Sequence, residues 1–256
     1  MRSRKCTTLL NSLLVLLITA VLVLPAAATV QAAGTYPSDY AQRVAHYNQH
    51  EKPILDIMRT RYTGGSLAEA IGARAMWYME YGYTVYGHTL YANTGYIDCS
   101  QFVSRVYADY GISITGASRK YTSVGTVVSG VYAQKQSNGK YALVGIDKLK
   151  VGDIFTFWAK DSSGNKYISH VAMYIGKPNG IPTIINTVSG HPTALGFMDN
   201  FSYWYGSNLY DVRRVLPANA YYRGGAAIND KGPVIPAVYQ MPIGDVVMPG
   251  ALAKGF

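Results

Sequence analysis

The chain has 256 residues, 14% of them charged, with 23 Tyr, 26 Gly, two Cys and a formal net charge of +9. Its apolar content of 49% argues against disorder over the central region. It shows no fixed-period repeat and no Lys/Arg block long enough to read as a nucleic-acid arm.

The first residues have the three parts of a secretory signal: Arg2, Arg4 and Lys5, an apolar run from Leu13 to Leu24, and then small residues. Val30 and Ala32 place a cut after Ala32, with Ala33 as the near alternative, so residues 1–32 are expected to be a signal peptide. The apolar run is short of the ~20 residues a spanning helix needs. No stable membrane insertion is therefore expected after cleavage, and the protein is expected to be secreted, outside the cell or on the cell wall. Losing three basic residues and no acidic one lowers the charge from +9 to +6. That balance suits anionic cell-wall polymers better than nucleic acid, with ordinary solubility charge as the plainer reading.

Residues 33–65 read as an N-terminal helical segment, with Val44, Tyr47, Ile54, Ile57 and Met58 at helical spacing and Pro53 breaking the helix or opening a second. Ser66 caps the next helix with Glu69 three residues on, and Leu67, Ile71, Ala75 and Met79 form one stripe ending near Gly82. A Tyr- and Gly-rich loop leads to "YIDCSQFVSRVYADY". There Phe102, Val103, Val106, Tyr107 and Tyr110 keep helical spacing, and Gly111 stops the helix. Cys99 lies in its first turn. The stretch from Ile112 to Lys148 is ambiguous, with an insertion around "YAQKQSNGKYALVG". Strand patterns follow at "DIFTFWA", "SHVAMYIG", "TIINTVSG" and "LYDVRRVLP". Helices followed by strands predict an α+β domain with an antiparallel sheet, spanning 66–217, and residues 218–256 read as a Gly/Pro-containing tail.

With Cys6 in the leader, Cys99 has no disulfide partner in the remaining chain. It is buried and inert, joined between chains, or reactive. Amide N–H groups at a helix N-terminus favour a thiolate, so this position predicts a lowered thiol pKa. A nucleophilic thiolate needs an acid for the leaving amine, and imidazole is the usual one. His46 and His50 read as surface residues, His88 as a loop residue able to line a cleft, and His191 as a turn residue. No metal-ligand spacing appears, and no cofactor is expected. His170 opens the apolar strand "HVAMYIG", which would hold its ring in a fixed direction.

Together, "YGHTLYANTGYIDCSQFVSRVY", "LKVGDIFTFW", "ISHVAMYIG" and "IINTVSG" resemble the NlpC/P60 cysteine peptidases of bacterial cell walls, over about Ser66 to Pro217. The resemblance implies a papain-like α+β fold with the nucleophile at a helix N-terminus. It places the nucleophile at Cys99, the base at His170 and the orienting third residue at Asn186. Tyr86 falls on an active-site tyrosine able to donate to the oxyanion, and Asp98 and Ser100 fall on the residues flanking the nucleophile. Asp153 falls on a Gly-Asp turn pair. Gln101 and Val151 depart from the pattern, replacing Gly and Pro. The implied reaction is hydrolysis of peptidoglycan stem peptides between γ-D-glutamate and the diamino acid. An amidase or acyltransferase using the same Cys-His pair, and a wall-binding protein with a degenerate site, are the alternatives.

Overall fold

In the computed structural model the described residues are 40–62, 65–81, 84–88, 96–187, 194–201 and 204–233. The expected signal peptide, His191 and the tail beyond residue 233 lie outside them. Helix α1 (Tyr40–His46) passes through one π-helical turn, Tyr47–Glu51, into α2 (Lys52–Arg61). Pro53 stands at the start of α2, where its missing N–H costs nothing, so it opens the second helix. Leu55 and Met58 turn inward, and the Tyr62 hydroxyl donates to the Ile175 carbonyl. These contacts seat the N-terminal helices against the sheet.

Helix α3 (Leu67–Tyr81) starts at Ser66, whose Oγ accepts from the Glu69 N–H at 3.2 Å. Glu69 reaches back to the Gly65 N–H at 2.9 Å, one residue earlier than in the reciprocal capping box. The expected single apolar stripe is too modest: every residue from Ala70 to Glu80 is buried. A helix enclosed on all sides must pair its charges. Glu80 accepts from Arg59 and from the Tyr47 hydroxyl. The Arg74 guanidinium lies 3.1 Å from Asp109 and 2.7 and 2.8 Å from the two oxygens of Asp230.

Short strands β1 (Val85–Tyr86) and β2 (Tyr96–Ile97) pair in parallel, and the chain then enters α4 (Cys99–Ala108). Beyond it lie β3 (Thr126–Val127) and the hairpin of β4 (Tyr132–Lys135) and β5 (Tyr141–Val144), which fills the stretch expected to hold an insertion. The main sheet adds β6 (Ile154–Lys160), β7 (Lys166–Gly176), β8 (Thr183–Thr187), β9 (Leu195–Met198) and β10 (Leu209–Arg214). Its order is β3-β10-β6-β7-β8-β9, antiparallel throughout. This is the mixed helix and antiparallel-sheet architecture expected from the element order.

The two sheet faces bury different clusters. Val171, Met173, Ile175 and Ile185 pack with α3 and α4, while Phe155, Phe157, Ala172, Tyr174, Ile184 and Val212 form a second core with Phe201 and the β4–β5 side. Such alternation along β7 is the period of two that a strand buried on both faces needs. Asp153 fixes the turn into β6. Its carboxylate accepts from the Lys150 N–H at 2.8 Å and from Arg214 Nε and Nη2 at 2.8 and 2.7 Å, tying the turn to β10. Gly152 beside it has φ +90°, and a side chain there would press on Tyr107 and Leu216.

The C-terminal stretch is anchored as far as residue 233. Ala220 is fully buried, and the Lys231 N–H donates to the Asp109 carbonyl at 2.7 Å. Because Asp230 takes two hydrogen bonds from the buried Arg74 guanidinium while Asp109 keeps a third, Asp230→Ala should lower unfolding free energy by about 1.5–3 kcal/mol, the usual cost of losing hydrogen bonds to a charged group. Urea denaturation checks this. A loss below about 0.5 kcal/mol would show the segment to be a free tail after all.

Candidate active site

Asp98 is the cap of α4, with extended backbone (φ −102°, ψ 178°). Its Oδ1 accepts from the Gln101 N–H at 2.8 Å and lies 2.9 Å from the Ser100 hydroxyl. An Asp in this position satisfies an N–H the helix cannot use and sets the first turn. Cys99, Phe102, Val103, Val106 and Tyr107 are consequently on the buried side. Ser100 is also held from outside: its hydroxyl lies 2.8 Å from the Gly116 carbonyl, and the Tyr121 hydroxyl donates to the Ser100 carbonyl at 3.1 Å. Tyr121 is fully buried and lay in the stretch whose sequence gave no clear pattern.

The Cys99 sulfur receives the backbone N–H of Val171. It therefore meets β7 at the residue next to His170. A bulge lies here, because Phe157 pairs with His170 and Trp158 with Ile168, leaving Ser169 as the extra residue. Bulges re-aim side chains beside functional sites. The His170 ring lies against Phe157 at 5.8 Å, and its Nε2 is 3.0 Å from Asn186 Oδ1.

Asn186 is fully buried on β8, and its Nδ2 donates to the Gly196 carbonyl at 3.3 Å. That carbonyl can only accept, so the amide nitrogen faces it and the amide oxygen faces His170. Nε2 of His170 must then carry the proton. Nδ1 keeps its lone pair.

Electrostatics at Cys99 run against the simple helix-terminus expectation. The thiol is only 4% exposed, and burial pushes its pKa up to about 11, with Asp98 adding to the rise. The N–H groups of Val171, Ser100 and Cys99 itself pull the other way without overcoming it. Desolvation of an anion outweighs a few oriented dipoles. Burial likewise lowers the pKa of His170, partly offset by Asn186 and Asp98. At neutral pH the pair rests as a thiol and a neutral imidazole.

Tyr86 stands in register with Ile97, just before Asp98, and is 37% exposed. Burial raises its phenol pKa, with further increments from Cys99 and Asp98, so it remains a proton donor. His88, read as a loop residue able to line a cleft, lies beside Asp98. Its Nδ1 is 2.9 Å from Asp98 Oδ2 while 74% of its side chain stays exposed, and its ring meets Tyr86 edge-on at 5.6 Å. The only sequence signal for this was its place in the loop before Cys99. Among the described residues, no group of three or more His, Cys, Asp or Glu side chains could hold a metal ion.

Residues 81–203 match the model of the NlpC/P60 family. Over that stretch the chain is similar to NlpC/P60 family domains. Members of this family are generally cell-wall peptidases. Solved structures similar to the chain include an NlpC/P60 family protein from Bacillus cereus ATCC 10987, 23% identical with a TM-score of 0.39. Another is a protein described as similar to lipoprotein, NLP/P60 family, from Staphylococcus aureus subsp. aureus Mu50, 24% identical with a TM-score of 0.38. The alignments cover 58% and 59% of this chain but only 40% and 42% of theirs. No curated protein matches it. Among the described residues no helix is long and apolar enough to cross a membrane.

A raised thiol pKa makes a direct prediction. Alkylation needs the thiolate, so the iodoacetamide rate at Cys99 should keep climbing from pH 6 to pH 10 without a plateau. A plateau reached by pH 6 would show that the helix terminus wins. Asp98→Asn retains a capping side chain but removes the nearby charge, and should raise the alkylation rate at pH 8 by about three- to tenfold.

Proposed function

We propose that the protein is a secreted cysteine peptidase that hydrolyses peptidoglycan stem peptides, at the bond between γ-D-glutamate and the diamino acid, using a papain-like Cys99-His170-Asn186 arrangement. The observation that carries this reading is the His170 Nε2 to Asn186 Oδ1 contact at 3.0 Å, with the Cys99 sulfur seated on the neighbouring Val171 N–H. Asn186 fixes the imidazole tautomer, which leaves Nδ1 as the base.

Because the resting pair is uncharged, His170 Nδ1 takes the Cys99 proton as sulfur attacks the carbonyl carbon. The C–S bond forms, and the carbonyl oxygen becomes an oxyanion within reach of donors such as the Cys99 N–H and the Tyr86 hydroxyl. The imidazolium then protonates the leaving amine as the C–N bond breaks. Water, deprotonated by the same nitrogen, hydrolyses the thioester and restores the thiol. Asp98 and Ser100 shape the wall of the cleft beside the nucleophile, and Asp98 raises the cost of the thiolate.

Incubated with peptidoglycan, the protein should release fragments ending in γ-linked D-glutamate, with a new amino terminus on the diamino acid, as read by mass spectrometry. Fragments cut between sugar and L-alanine would assign the amidase alternative. The buried thiol favours a second reading, a wall-binding protein with a degenerate site, and no cleavage of any wall type with the thiol reduced would establish it. Asn186→Ala should cut kcat/KM by about 10- to 1,000-fold, with His191→Ala near wild type. The acid limb of the pH profile should fall below 6.5, the ordinary histidine value, since burial disfavours imidazolium at His170.

A further inference from the structure

Helix α4 carries two stripes. Cys99, Phe102, Val103, Val106 and Tyr107 face the core, whereas Gln101, Ser104, Arg105 and Ala108, at i, i+3, i+4 and i+7, share the opposite side. That outer stripe is not an ordinary solvated face. The chain after the helix turns back along it, held by the Ser100 hydroxyl at the Gly116 carbonyl, and borders an open groove of about 440 Å³ whose other walls are Ser113, Ile114 and Gly116.

Two polar groups in this groove lack the partners such groups normally have. Gln101 Oε1 is buried without a hydrogen bond, although buried amide oxygens are nearly always paired. Arg105 is half-buried, and among the described residues its guanidinium has no hydrogen-bond or ion-pair partner. Asp109, on which its charge acts, is also engaged by Arg74 and Tyr78. Ser104 donates to the Gln101 carbonyl at 3.0 Å and leaves its oxygen lone pairs to the groove. Gly116 contributes no side chain, and a Cβ there would come only to ordinary contact with Ser104 and Gln101.

We propose that this groove is a second binding site, separate from the Cys99 cleft, for a short peptide ending in a free carboxylate. The planar fork of Arg105 matches a terminal carboxylate in two hydrogen bonds. Ala108 and Ile114 leave room for a small side chain such as a methyl. The volume holds a dipeptide. The proposal does not depend on the hydrolytic reading, since none of these residues takes part in it.

The test is an NMR titration of ¹⁵N-labelled Cys99→Ala protein with N-acetyl-alanyl-alanine and, in parallel, with its C-terminal amide. The acid should shift the Gln101 side-chain, Arg105 Nε and Gly116 signals saturably at millimolar concentration, and the amide should bind at least about tenfold more weakly. Arg105→Gln should abolish the response by removing the charge, and Ala108→Phe should abolish it by filling the groove, each with unchanged far-ultraviolet circular dichroism. Equal binding of acid and amide, binding that survives Arg105→Gln, or no saturable shift up to about 20 mM would overturn the proposal.

Discussion

The site hangs on one carboxylate. Asp98 takes the Gln101 N–H on Oδ1, and through that bond it decides where α4 begins and which side of the helix turns inward. Cys99 follows directly, so a sideways shift of the cap by one residue would rotate the sulfur by about 100° and remove it from β7. The same group holds Ser100 and His88, and its charge reaches Cys99, Tyr86 and His170. Structural and electrostatic roles therefore pull in opposite directions here. The cap that positions the thiol also makes its ionisation harder.

Burial completes that opposition. Interiors tolerate a neutral thiol and a neutral imidazole well and an ion pair poorly unless its partners are near-ideal. Cys99 and His170 rest in the uncharged form, and the chemistry proposed for them needs charge only while the substrate carbonyl is under attack. His88 Nδ1 lies 2.9 Å from the same Asp98 carboxylate. A groove behind the same helix is lined by residues that face away from the thiol.

Much of this framework was legible in the sequence, and for identifiable reasons. The helix opening at Cys99 follows from the apolar spacing of Phe102, Val103, Val106 and Tyr107, and the pairing of the two strands that carry His170 and Asn186 follows from two apolar runs joined by a Gly/Pro turn. Other features were hidden. Strand β7 begins three residues before the expected Ser169, because Lys166 and Tyr167 are polar or amphipathic yet pair with Lys160 and Ala159 across the hairpin. Strand β9 contains Gly196 and carried no strand pattern, although the Gly196 carbonyl orients Asn186. Neither the burial of Arg74 nor its bond to Asp230, 156 residues away, can be read from local spacing. The thiol pKa failed as an expectation because sequence shows the helix terminus but not the depth at which it lies.

Imidazole nitrogen shifts of His170 test the account most directly. In ¹⁵N-labelled protein at pH 7, two-bond proton–nitrogen correlations should show a neutral ring protonated at Nε2 and bare at Nδ1, and Asn186→Ala should release this into a mixture of tautomers. An imidazolium at that pH, or a ring protonated at Nδ1, would contradict the proposed base and the neutral resting pair.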